Sequence, residues 1–272
     1  MRTFNNQVVW ITGASSGIGE ALVHAFAKAG AKVVLSARRE NELKRVQSEA
    51  GLTDENSMVL PLDLTKFDTL PGKAEEVLQK FGQIDQLINN GGISQRSLFM
   101  DTDMEVFERI FDLNVYSVIA MTKAVLPHMQ KRNSGHLSVV SSVAGKMGPP
   151  LRTGYAASKH AVIGMYDSLR AELTGSNINV TVFCPGYVIT NISKNALSGD
   201  GSKHDKMDTD TANGLTAEQC ANQMLDALAK KKFEVVIAKK EKYYVLLKRF
   251  VPNLFTKILG KTALEMMKRQ SK

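Results

Sequence analysis

Val8 to Leu22 reads VVWITGASSGIGEAL, and the fold turns on how this stretch is parsed. A short apolar run enters a glycine cluster without alternating, and a helix-forming run follows. An unbroken apolar run is the pattern of a strand covered on both faces, which belongs to a parallel sheet. Gly13, Gly17 and Gly19 follow the spacing G-x-x-x-G-x-G. Glycines there permit a tight turn and let backbone amides approach a pyrophosphate at the helix N-terminus. Ser15 and Ser16 add hydroxyl donors. A purely structural turn would use the same glycines, so the loop takes its meaning from following a first strand.

Outward from this unit the pattern repeats. QVVWIT, KVVLSA, SMVLPL, IDQLINN, HLSVVSS, INVTVFC and FEVVIA read as seven strands. Helical patterns lie between them at about 17–29, 40–50, 66–81, 103–131, 153–174 and 216–231. Such alternation predicts an α/β chain, a single Rossmann-like doubly wound domain with a seven-stranded parallel sheet in order 3-2-1-4-5-6-7. Residues 1–240 form that domain, and 241–272 a basic amphipathic extension. Residues 191–215 are polar and long for a loop. They leave a strand's C-terminal end, where doubly wound folds bind ligands, and read as a substrate lid or a surface excursion.

Composition narrows the classes. The 272 residues, 43% hydrophobic, suffice for one sizeable core. Cys184 and Cys220 are too few for a disulfide scaffold, and the histidines show no ligand spacing. A reducing cytosol and no metal are expected. There is no signal-like N-terminal apolar region and no apolar run of about 18–20 residues. The net charge is +8. Ten Lys/Arg against Glu241 and Glu265 from Lys239 onward account for all of it, so the body is formally neutral and nucleic acid is not an expected partner.

The second strand runs into Ala37, Arg38 and Arg39. An NAD site would place an acid about at Ala37 for the ribose hydroxyls, whereas arginine's planar fork suits phosphate. A cation pair at a helix start is otherwise unfavourable. NADP(H) is therefore preferred over NAD(H). Asp63, ending the third strand, would accept from the adenine amino group.

GYAASKHA, Gly154 to Ala161, sets Tyr155 and Lys159 four residues apart, on one helical face. Ser142 lies thirteen residues before the tyrosine, ending the fifth strand. Docked beside that strand, the helix brings the three together. A free phenol titrates near 10, a nearby ammonium lowers that value, and a serine can hold a carbonyl or alcohol oxygen.

At this point the sequence resembles the short-chain dehydrogenase/reductase family over about residues 5–240. The motifs are TGASSGIG at Thr12–Gly19, NNGG at Asn89–Gly92, Asn114 in FDLNVYS, Ser142, Tyr155 with Lys159, and Pro185–Gly186. Gly91 replaces the family's alanine, which would loosen that turn. NNGGISQRSLFMDTD and the long C-terminus are most similar to members related to retinol and hydroxysteroid dehydrogenases. The resemblance implies that Tyr155 exchanges a proton with the substrate oxygen and Ser142 holds it. It implies that Lys159 lowers the Tyr155 pKa and bonds the nicotinamide ribose, and that Asn114 positions a relay water. Cofactor contacts would come from Gly13, Ser15, Ser16, Gly17, Ile18, Gly19, Arg38, Arg39, Asp63, Leu64, Asn90, Gly91, Tyr155, Lys159, Pro185, Gly186, Val188 and Thr190. The implied reaction is NADP(H)-dependent reduction of an apolar ketone or aldehyde by a homodimer or homotetramer. A 3-oxoacyl-thioester reductase and a non-catalytic NADPH-binding scaffold are the alternatives.

The tail mixes lysines with Tyr243, Tyr244, Leu247, Phe250, Leu254, Phe255 and Ile258, with Pro252 as a break or helix start. Self-packing over the pocket, assembly, peripheral membrane contact and a solvated tail all fit that pattern.

Overall fold

The computed structural model of the chain describes residues 4–270, with side chains as far as Leu264. The elements run β1 (Val8–Thr12), α1 (Gly17–Lys28), β2 (Lys32–Ser36), α2 (Glu40–Glu49), β3 (Ser57–Val59), α3 (Leu70–Phe81), β4 (Gln86–Asn89), α4 (Met104–Phe111), α5 (Ser117–Arg132) and β5 (Gly135–Val140). They continue with α6 (Thr153–Glu172), β6 (Ile178–Pro185), β7 (Val188–Ile189), α7 (Thr209–Ala212), β8 (Leu215–Thr216), α8 (Ala217–Ala229), β9 (Glu234–Ile237), α9 (Glu241–Phe250) and α10 (Pro252–Gln270).

Seven strands form one parallel sheet in the order β3-β2-β1-β4-β5-β6-β9. This is the expected topology, with β9 as its seventh strand. The other two strands, β7 and β8, pair with each other outside the sheet.

Side-chain alternation explains why the strands read as continuously apolar. Val8, Trp10, Val34, Leu87, Leu137, Val139, Val180 and Val182 enter the core shared with α3, α5 and α6. Their neighbours Val9, Ile11, Val33, Leu35, Ile88, Val140 and Phe183 enter the opposite core with α1, α2 and α8. Both faces are covered, so positions of either parity favour apolar side chains. At the centre, β1 has β2 on one side and β4 on the other. The chain reverses its winding there, and a crevice opens beyond the strands' C-terminal ends.

The helix expected over 103–131 is interrupted by a π-helical turn, Asp112–Tyr116, joining α4 to α5. Among the described residues, Met104–Arg132 is long and apolar enough by composition to cross a membrane, but half of that apolar window is buried in this fold. In the tail, Pro252 opens α10, a position where its missing N–H costs nothing. Phe255 is buried against Val143 and Met147, with Val245, Leu247 and Leu259 around them. Tyr243, Phe250 and Leu264 stay exposed.

Candidate active site

The glycine loop is a cradle enforced by sterics. Gly13 and Gly17 have φ of +67° and +60°, the left-handed region that favours glycine. A Cβ on Gly19 would lie 2.1 Å from the Gly13 carbonyl oxygen. Ser16 precedes α1 without spending its side chain on the helix cap, so its hydroxyl is available at a helix N-terminus. Ser15 is buried and Ile18 half-buried at the same turn. The β4 turn is clamped to this loop: Asn90 N and Gly91 N donate to Thr12 Oγ1 at 2.9 and 3.1 Å, and Asn90 Nδ2 donates to Thr12 O at 2.9 Å. Gly91 does not loosen the turn, because Leu64 Cδ1 sits 2.6 Å from where its Cβ would be. The volume surrendered at position 91 is filled from the β3 side.

Across the crevice, Thr190 Cγ2 lies 3.0 Å from where a Gly17 Cβ would stand. Val188 is buried beside it, and Gly186 N donates to Ile237 O at 2.9 Å. At the outer rim Arg38 and Arg39 are exposed, and among the described residues neither forms an ion pair. Arg39 is the N-cap residue of α2, where a cation is disfavoured. Asp63 accepts from Thr65 N and Oγ1 at 3.0 and 2.8 Å. Those bonds, helped by Arg38, hold its carboxyl below the usual range. The residues present fit a dinucleotide laid along this edge.

At the inner end, Ser142, Tyr155 and Lys159 converge as the spacing predicted. Ser142 Oγ donates to Pro185 O at 3.3 Å and accepts from Ala144 N at 3.1 Å. Lys159 is buried, and its Nζ donates to Val140 O at 2.9 Å. Its Nζ is 5.8 Å from the Tyr155 ring centre. Asn114 sits on the π turn, a feature frequent at functional sites. Its Oδ1 accepts from Ile93 N at 2.9 Å, and its Nδ2 donates to Ile93 O and Ser158 Oγ, each at 3.0 Å. Asn114 therefore braces the β4 loop against α6 and makes no direct bond to Lys159.

Burial sets the electrostatics at this end. The Tyr155 phenol is raised above its ordinary value by burial; hydrogen bonding to Ser142 and the charges of Arg152 and Arg96 oppose the rise. Burial brings Lys159 itself down to about 8, because desolvation disfavours an ammonium.

Those arginines, and Gln95, were not singled out from the sequence. Gln95 is fully buried, and its Oε1 accepts from Gly154 N at 2.8 Å and Tyr155 N at 3.4 Å. It caps and aims the helix that carries Tyr155 and Lys159. Arg96 and Arg152 both bind Asp208, from the segment expected to be a lid. That segment is better anchored than its polarity implied: Ser193, Ala196 and Leu197 are buried, and Leu197 bridges to Gln95. A signal for Arg152 existed, since a cation just before a helix start is disfavoured. Away from the crevice, Glu20, His24 and Glu49 bring potential ligand atoms within 4.8 Å of one another, but Arg45 already engages both carboxylates.

The family profile described as short chain dehydrogenase matches residues 7–201. The chain is 41% identical over 280 residues to Dehydrogenase/reductase SDR family protein 7-like of Drosophila melanogaster, covering 99% of this chain and 85% of that protein. It is 44% identical over 238 residues to Dehydrogenase/reductase SDR family member 7 of Homo sapiens, covering 86% and 70% respectively. A short chain dehydrogenase/reductase from Burkholderia phymatum, solved in complex with NAD, superposes with a TM-score of 0.81 at 24% identity over 93% of this chain and 96% of that one. An alcohol dehydrogenase from the archaeon Thermococcus sibiricus, complexed with 5-hydroxy-NADP, gives 0.73 at 24% identity over 86% and 97%.

Proposed function

The chain belongs to the short chain dehydrogenase family of oxidoreductases, and from that premise we propose that it is an NADP(H)-dependent enzyme reducing the carbonyl of a largely apolar ketone or aldehyde. The observation that carries the reading is the convergence of the Tyr155 phenol with Ser142 and Lys159 at the inner end of a glycine cradle. A bound nicotinamide supplies the hydride. Ser142 donates to the substrate oxygen and fixes its place. Tyr155 gives its proton to that oxygen as negative charge develops there. Arg96 and Arg152 then stabilise the phenolate left behind. At neutral pH the phenol holds its proton, ready for the oxygen that a hydride from NADPH would leave negative. Val143, Met147 and Phe255 supply apolar wall next to Ser142.

The solved relatives carry NAD in one case and an NADP derivative in the other, so the fold does not select the cofactor. Arg38 and Arg39, with no acid at Ala37, support NADP(H). Arg38→Ala should weaken NADPH binding about 10–100-fold, the worth of a charge-assisted contact of about 1.5–3 kcal/mol, and leave NADH unchanged. Cofactor fluorescence titration checks this, and equal affinity of the parent enzyme for both cofactors would refute the preference. Loss of NADPH absorbance across a panel of aldehydes and ketones tests the reaction. Tight NADPH binding without turnover would point to the non-catalytic scaffold.

A further inference from the structure

Arg96 is only 8% exposed, and it is locked from behind: its Nη1 donates to Ser94 Oγ at 2.8 Å and Gln95 O at 2.6 Å. Its Nε and Nη2 both point at one atom, Asp208 Oδ2, the first at 2.9 Å. Arg152 Nη2 reaches that same oxygen at 3.1 Å, with its guanidinium 5.6 Å from the Tyr187 ring centre. The other oxygen, Oδ1, has His204 Nε2 at 4.0 Å. Two guanidiniums thus crowd one carboxylate oxygen, although an arginine fork matches two oxygens of an anion better than one. Burying two like charges together is costly unless anionic partners meet them. Arg152 bears a further cost as the residue that precedes α6. Gln95, the neighbour of Arg96, accepts from Gly154 N and Tyr155 N, and Arg152 lies one turn before Tyr155, so the cluster borders the end of α6 that carries the phenol. The carboxylate comes from far away in sequence, on the polar excursion between β7 and β8, as the N-cap of the one-turn α7.

We propose that Arg96 and Arg152 form a subsite for an oxyanion group, a carboxylate or phosphate monoester, carried by the carbonyl substrate itself, and that Asp208 is the group the substrate's anion displaces. This deepens the oxidoreductase reading and rests on it. The substrate then has an apolar body toward Val143 and Met147 and an acidic end toward the arginines.

Three para-substituted benzaldehydes probe the subsite at saturating NADPH: 4-carboxybenzaldehyde, 4-formylphenyl phosphate and the neutral methyl 4-formylbenzoate. At least one anionic probe should exceed the ester in kcat/KM by about tenfold or more, the value of one charge-assisted contact, and the better of the two identifies the anion. Arg152→Met should bring that ratio close to one. Calorimetric titration of the enzyme–NADPH complex with sodium benzoate and with inorganic phosphate reads the subsite without turnover. Asp208→Asn should tighten that binding about tenfold, a gain that a misfolded variant cannot imitate. An ester turned over as well as both anionic probes, or binding of neither anion by parent and Asp208→Asn proteins, overturns the subsite. Anion binding that responds to both substitutions, with no aldehyde or ketone reduced, would instead overturn the reductase reading and keep the subsite.

Discussion

The two sides of the crevice are built from different materials. On the cofactor side the chain uses its backbone: left-handed glycines, a free helix N-terminus and the Thr12–Asn90 clamp. On the opposite side it uses charged and amide side chains, buried Gln95 and Arg96 with partly buried Arg152 and Asp208, the Arg96–Asp208 bond spanning 112 residues of sequence. A backbone site recognises what is common to many ligands, such as phosphate. A side-chain site recognises what is particular to one. Tyr155 and Lys159 sit on the seam, aimed by Gln95 from the substrate side and packed on β5 from the sheet.

The largest effect should come from the seam. Tyr155→Phe removes the proton donor and should cut kcat about 10²–10⁴-fold, while NADPH titration stays within twofold of the parent, a rough bound set by contacts with the backbone cradle. If cofactor binding fell in step with kcat, the division between the two sides would be wrong.

Lys159 gives a second measure, read through pH. Burial brings its ammonium down to about 8 from the ordinary lysine value of 10.5. Between those values the unfolded chain holds a proton that the native protein has released, so stability rises with pH across that window. The contribution is fully present above 10.5 and is lost as pH falls to about 8. Urea unfolding of the parent and Lys159→Met proteins at pH 7 and pH 10.5 should differ by a pH-dependent amount on the order of 3 kcal/mol. The same titration should make carbonyl reduction decline above pH 8, with Tyr155 still protonated. A flat stability difference would mean that the ammonium is solvated.

Gly19→Ala strikes the backbone side alone. Its Cβ would meet the Gly13 carbonyl at 2.1 Å, a clash with main chain that no rotamer relieves. Urea unfolding should show a loss of about 1–3 kcal/mol, and NADPH affinity should drop because the cradle must open. Gly72→Ala, where a Cβ meets nothing within 4 Å, is the control and should be neutral or mildly stabilising by helix propensity. Equal losses at the two positions would show that the cradle is not sterically fixed.

The same contrast explains what the sequence disclosed. The sheet order, the glycine loop and the Ser142–Tyr155–Lys159 set are governed by short spacings: alternation within a strand, three glycines in seven residues, four residues along a helix. The Arg96–Asp208 contact obeys no such period, because Asp208 arrives on an irregular segment placed only by the finished fold. Gln95 was hidden for the same reason, since its role lies in capping a helix that begins at Thr153. The β7–β8 pair, two residues on each side, is too short to show alternation. Spacing puts an ammonium near a phenol but says nothing about how much water either has lost, so the burial that raises Tyr155 and lowers Lys159 is not legible in the sequence.

The smallest predicted effect lies where the two sides touch, at Gly91. Sequence alone makes Gly91 a loosened turn, whereas packing makes it half of a matched pair with Leu64. Gly91→Ala forces Leu64 Cδ1 to move from 2.6 Å, and because that atom ends a flexible side chain the cost should be about 1 kcal/mol. Leu64→Ala alone opens a gap beside the turn and should cost about 2 kcal/mol, the low end for a buried leucine because Leu64 lies at the edge of its core cluster with 8% exposure. The double variant restores an alanine at the turn and removes its competitor, so it should lose less than the sum of the two by about 0.5–1 kcal/mol. Urea unfolding of the four proteins closes this cycle. Strict additivity would mean that Gly91 is tolerated by the turn itself, and that Leu64 fills the neighbouring space without compensating for it.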